Sequence, residues 1–294
     1  MSTLAQILSP DFLLRDALLG SVLVGLVCPL VGVYFLLRRM IFLGVALPQV
    51  SAAGIAAAFF AYSILVGPHA ALGGGERLLA IAGSAVFTAA ATVTLAMLER
   101  RGRERVEARI GATYALAAAA TMVLLAKDPH GEAEIIGLLK GDILATTSAS
   151  LGVMMATFGA ATLVLLAFRK ELLLVSFDRD LAVVFGKRAG LWDLVLYVVI
   201  AAVISLGVIA AGPMPTFGFL VVPPLTMRLI TRRMLSFSVG SAVLGAATGF
   251  VGFYCAYRYD VPLAPAQISV ASAALLAVGS AVAVRRGLGR WRAA

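Results

Sequence analysis

Few side chains in this sequence can make or break bonds or grip a metal. Its only histidines are His69 and His130, and its only cysteines are Cys28 and Cys255. The cysteines sit in apolar runs at neither a disulfide nor a metal-ligand spacing, so packing as small hydrophobes is the simplest reading. The histidines fall in connections between apolar runs, where solvation competes with metal ligation. No G-x-x-x-x-G-K-[ST], H-E-x-x-H or G-x-S-x-G occurs, which excludes a P-loop nucleotide site, a zincin and a nucleophile elbow. What remains is neutral: Gln49 and Ser51 beside Val45 and Pro48 in one apolar run, and Met214, Thr216 and Pro223 in another. An amide oxygen, hydroxyls and a thioether can line or hydrate a passage. They supply no strong ligand for a hard or borderline cation.

The elements that hold these residues are dictated by hydropathy. The 36 residues between Arg39 and Glu76 contain no Asp, Glu, Lys or Arg, and similar stretches recur to Val284. Hydrophobic residues make up 61% of the chain and charged residues 13%. A hydrocarbon core of ~30 Å takes about twenty residues of helix to cross, and backbone polar groups there must be satisfied within the helix. The fold class is therefore all-α: a polytopic transmembrane bundle of eight to nine spans, forming one domain over residues 1–294. Candidate spans are 17–37, 41–62, 78–98, 110–126, 147–168, 191–211, 216–231, 235–257 and 262–284. The seventh is the shortest, and Pro223-Pro224 predicts a break or tilt there. Residues 1–16 lack a signal-peptide pattern and read as an interfacial lead-in to the first span.

Every second connection is basic, and together these connections hold 19 of the 24 Lys and Arg residues. Positive charge retained inside puts them and the C-terminus in the cytoplasm; nine spans put the N-terminus outside, and one re-entrant span would flip it. The net charge of +9 is then a topology signal and calls for no nucleic-acid partner. The outer connection from Lys127 to Asp142 is mildly acidic; a solvated loop and a cation- or partner-attracting one both fit. Ionisable residues are almost absent from span interiors, which argues against a carrier coupled through buried carboxylates and for a conduit driven from elsewhere.

One inner connection, residues 170–190, is longer than a turn. Asp178 suits a helix N-cap, Asp180 its first turn, and Gly186 with Lys187 and Arg188 its stop. Leu181, Val184 and Phe185 then form an apolar stripe, with Phe177 and Ala182 beside it. Such a stripe fits a protein partner, or else the lipid surface.

At this segment the chain resembles the permeases of metal-ion ABC importers, the zinc, manganese and iron uptake systems. Their pattern K-E-L-L-x-x-S-F-D-P-E-x-A-x-x-x-G is matched by Lys170, Glu171, Leu172, Leu173, Ser176, Phe177, Asp178, Ala182 and Gly186, with Arg179 for proline and Asp180 for glutamate. Gly141-Asp142-Ile143-Leu144, Leu37-Arg38-Arg39-Met40 and Val222-Pro223-Pro224 with Arg228 extend the resemblance along the chain. It implies a multi-pass permease of the bacterial inner membrane that catalyses nothing itself. The implied partners are a second permease subunit, an extracytoplasmic binding protein and a cytoplasmic ATPase that holds the ATP and Mg. The segment containing Phe177, Asp178, Asp180, Leu181, Ala182, Phe185 and Gly186 would be the coupling helix in the ATPase cleft.

The chain departs from that family where the family reads G-D-A-L-S-H-A. Here the residues are Gly44-Val45-Ala46-Leu47-Pro48-Gln49-Val50, so Val45 and Gln49 stand where the resemblance would place a metal-contacting aspartate and histidine. Three explanations stay open: another solute, a heterodimer whose partner subunit supplies the ligands, or a path that is merely hydrated. Paired interrupted spans point to a midplane path, here between Val45, Gln49 and Ser51 and Met214, Thr216 and Pro223, although ordinary kinks in a packed bundle also fit.

Overall fold

The computed structural model describes residues 12, 14–66, 75–99, 106–127 and 148–291. His69, His130, the connection after Lys127 and the Gly141–Leu144 motif lie outside them. Eleven helices follow in order: α1 (Arg15–Leu37), α2 (Leu43–Val66), α3 (Glu76–Glu99), α4 (Val106–Lys127), α5 (Ser148–Ala167), α6 (Arg169–Phe177), α7 (Arg179–Val184), α8 (Ala189–Ala211), α9 (Pro213–Ile230), α10 (Met234–Tyr259) and α11 (Leu263–Trp291). Eight are long and apolar enough to cross a bilayer; α9, with four prolines and Arg228, is not among them. α1 and α8 form the centre, with 78% and 72% of their apolar windows buried, whereas α11 buries 11% and faces outward.

Without a hydrophobic gain from leaving lipid, helices in a membrane associate where small residues let backbones approach. α1 meets α10 at Gly25 and Gly245, where a Cβ on either glycine would collide with the other's carbonyl oxygen. α2 meets α3 in the same way at Gly54 and Gly83. The approach of α9 to α1 has a further cause. Pro224 has no N–H to give the Leu220 carbonyl, and that carbonyl lies against Gly32 of α1, with the Pro224 ring also within reach. Only a residue without a side chain fits there.

The prolines therefore do not break the seventh span as the sequence predicts. α9 runs without interruption from Pro213 to Ile230, with the Leu220 carbonyl that Pro224 leaves free lying against Gly32 of α1. The break lies one step earlier. Gly212, at φ 87° and ψ 167°, ends α8 and turns the chain directly into α9, with Pro213 at the first helical position. Its N–H donates to the Val208 carbonyl at 2.8 Å, and its own carbonyl accepts from the Thr216 hydroxyl at 2.7 Å. Backbone of this kind belongs almost solely to glycine. Gly212→Ala is expected to cost about 1–3 kcal/mol, read as a lower melting temperature in detergent.

The first inner turn shows why the Arg38-Arg39-Met40 motif closes a helix. Arg39 is left-handed (φ 59°), its N–H reaches the Leu36 carbonyl at 3.3 Å, and the Met40 N–H reaches the Phe35 carbonyl at 2.9 Å. These paired bonds form a Schellman motif, sealed by Met40 and Phe35, both buried. The chain then re-enters the membrane as α2.

Candidate functional site

Two places bring polar or partner-seeking groups together, one at the end of the bundle that carries α6 and α7 and one within it. At that end, the segment over 170–190 forms two helices joined by an extended Asp178, where the sequence suggests only the second. Six residues of helix do not hold alone. α7 is fastened at both ends instead. The Asp178 carboxylate accepts from the Leu181 N–H at 3.0 Å. Gly186 (φ 72°) closes the other end, its N–H donating to the Val183 carbonyl at 2.9 Å while the Lys187 N–H donates to the Ala182 carbonyl at 3.0 Å.

Fastening fixes which face of α7 looks where. Ala182 is fully buried, clustered with Val175 of α6 and Ala189 of α8. Leu181, Val184 and Phe185 are exposed, Val184 by 80% and Phe185 by 66%, and Phe177 continues this surface from the end of α6. Asp178 and Asp180 are exposed beside it. Glu171 and Lys187 brace the base of the segment at 3.4 Å. The Glu171 carboxyl lies below its ordinary pKa, first through its own backbone amide and then through Lys187. The segment thus exposes aliphatic and aromatic surface rimmed by carboxylates.

The same end carries a charge cluster absent from the sequence expectations. The Arg38 guanidinium donates to Asp193 Oδ1 at 2.8 Å, to the Tyr197 hydroxyl at 3.1 Å and to Ser176 Oγ at 3.2 Å. It also lies 5.4 Å from the centroid of the Tyr197 ring. Arg179, the first residue of α7, reaches Asp193 Oδ2 at 3.5 Å. A partial signal existed in the sequence: Asp193 is the one carboxylate inside the sixth predicted span, and a buried carboxylate requires a cation.

Of the residues expected to line a path, Val45 and Gln49 lie one turn apart on α2, both partly exposed, and Met214 at the start of α9 is exposed. Pro48, Thr216 and Pro223 are buried. Thr216 lies against Gly207 of α8, which also touches Cys28 of α1, so it faces the interior of the chain. Ser51 is fully buried and turns toward a hydroxyl cluster: its Oγ is 2.5 Å from Ser84 Oγ of α3, which accepts from Ser205 Oγ of α8 at 2.7 Å. Ser84, Thr88 and Thr92 recur every fourth residue along one buried face of α3. That period was the available sign of the cluster. No group of three or more His, Cys, Asp and Glu side chains converges among the described residues.

Comparison with known proteins gives this architecture a lineage. The model of the ABC 3 transport family matches residues 11–282. A "Probable metal transport system membrane protein" of Thermotoga maritima is 25% identical over 263 residues, spanning 90% of this chain and 88% of that one. The "Manganese import system permease protein ScaB" of Streptococcus gordonii is 24% identical, with 93% and 92% covered. In fold, the chain is similar to the structure described as "PsaBC from Streptococcus pneumoniae in complex with Fab", at a TM-score of 0.76 and 22% identity over 92% of this chain and 91% of that one. With its bundle of helices long and apolar enough to cross a bilayer and its residues 11–282 matched by a single family model, this chain belongs to the ABC 3 transport family.

Proposed function

We propose that this chain is the membrane permease of an ATP-driven importer of a divalent transition-metal ion in a bacterial inner membrane, worked by a cytoplasmic ATPase. The ATPase holds the ATP and Mg, an extracytoplasmic binding protein delivers the ion, and a second permease subunit completes the path. The observation that carries this reading is the exposed stripe of Leu181, Val184 and Phe185 on a helix capped at both ends, continued by Phe177 at the end of α6. A bundle that contains no motor must be rocked through some such handle. The names of the relatives, which include manganese and metal transport proteins, support a metal as cargo. The test compares vesicles holding the permease alone with vesicles holding the complete assembly, with Mn(II) outside. ATP-dependent uptake only in the complete assembly is expected, and equal uptake by the permease alone would refute it.

Val45 and Gln49 favour a second reading, in which the same machine moves a chelate or another small solute. A valine offers no donor and an amide only a neutral oxygen at the partly exposed turn of α2. Losing even an outer-shell partner of a metal ligand costs about 10–100-fold in affinity. Val45→Asp combined with Gln49→His is therefore expected to tighten Mn(II) or Zn(II) retention by the purified permease at least ~tenfold. Unchanged metal binding would move the path away from this turn.

A further inference from the structure

We propose that Asp193 is a positioning residue that ties α7 to the membrane core, with Arg179 as the arm through which α7 pulls on it. This inference rests on the docking role given above to α7. Asp193 is 5% exposed. A carboxylate in that position is tolerated only when paired and hydrogen-bonded, and each of its oxygens faces a different helix. Oδ1 takes Arg38 from the end of α1 at 2.8 Å, and Oδ2 lies 3.5 Å from Arg179 Nε on α7. Arg38 in turn is held by Ser176 of α6 and by Tyr197, one turn beyond Asp193 on α8. Four helices thus converge on a single anion: the two cytoplasmic helices, and the two most buried spans, which form the centre of the bundle.

Arg179 stands where the permease pattern that this segment resembles has proline. A proline there would preset the helix start but offer no charge. In this chain the same position supplies an ion pair between α7 and the core. A shift of α7 of about an ångström would stretch the Arg179–Asp193 pair without abolishing its attraction, and so change the field on Arg38 at the end of α1. Coulomb interaction falls off gently with distance, whereas a hydrogen bond is lost over a fraction of an ångström. The pair is therefore suited to transmit motion rather than to hold the fold. Arg179 is 43% exposed in its side chain, and ion pairs so open to water add little stability.

The test uses the complete assembly and reads ATP hydrolysis stimulated by the binding protein, which does not depend on knowing the cargo. Arg179→Gln is expected to lower that stimulation roughly fivefold, the low end of allosteric couplings. The ATPase should still co-purify with the permease, and the melting temperature should stay unchanged. Arg179→Lys, which restores the charge, should recover at least about half of the loss. Adding Asp193→Asn to Arg179→Gln should lose no more than Asp193→Asn alone, since both act on one contact. Wild-type stimulation in Arg179→Gln, or no recovery with lysine, would overturn the inference. Val184→Asp with Phe185→Asp, run in parallel, separates the two claims. If the ATPase still binds and is stimulated in that variant, the docking role of α7 fails. If binding is lost there while Arg179→Gln behaves as wild type, only the Asp193 link fails.

Discussion

Replacing Val184 and Phe185 together by aspartate is expected to abolish ATP-dependent transport while leaving the permease folded. Each side chain is more than half exposed in the isolated chain, so neither contributes much to its core. In the assembly they would be anchors in a groove. Truncation of a central interface anchor typically costs 2 kcal/mol or more, and a buried unpaired carboxylate adds to that. The pair should weaken ATPase docking by at least about 3 kcal/mol, roughly a hundredfold. Co-purification of the ATPase and its stimulated hydrolysis measure the loss, and the melting temperature of the permease serves as control. Gly186→Trp should act similarly by another route, because the left-handed backbone at φ 72° that ends α7 admits a tryptophan only with strain. Asp178→Lys removes the cap and sets a cation against the positive end of the helix. Undiminished stimulation across all three variants would mean that the ATPase does not grip this segment.

The second large effect is expected deep in the bilayer. A Cβ at Gly83 would fall 2.5 Å from the Ala58 Cβ and closer still to the Gly54 carbonyl. One at Gly54 would lie 2.5 Å from the Gly83 carbonyl and 2.7 Å from the Phe87 Cβ. Backbone cannot retreat as the end of a flexible side chain can, so Gly83→Val must push α3 away from α2. Overpacking of a core costs about 1–3 kcal/mol and sometimes more, and here the displaced helices also carry the Ser51–Ser84–Ser205 hydroxyl contacts. We expect a loss of about 3 kcal/mol or more, seen as an earlier midpoint of unfolding in mixed micelles. Gly152→Ala on α5 provides the contrast. Nothing lies within 4 Å of a Cβ there, and helix propensity should make the change neutral or mildly stabilising. If Gly83→Val unfolds at the same midpoint as Gly152→Ala, the close crossing of α2 and α3 is not what holds them.

The sequence alone determined the class of molecule, the order of its spans and the ends of α7. Those properties are local, or depend on solvent. A run of apolar residues specifies a bilayer crossing whatever it packs against. Asp178 and Gly186 write a cap and a stop in the backbone within three residues of where they act. Tertiary structure alone decided what each span presents to its neighbours. Thr216 and Ser51, expected at a path, turn into the bundle, since the rotation of a uniformly apolar helix is set by the shapes of surrounding helices and leaves no polar–apolar pattern in the sequence. The continuity of α9 through Pro223-Pro224 depends on Gly32, about 190 residues away, covering the carbonyl that Pro224 leaves free. The union of Arg38, Arg179 and Asp193 likewise spans more than 140 residues. Their charges could be counted in the chain, but only the packing of α1, α7 and α8 brings them within hydrogen-bonding and ion-pairing distance, because electrostatic attraction alone does not select among the available cations.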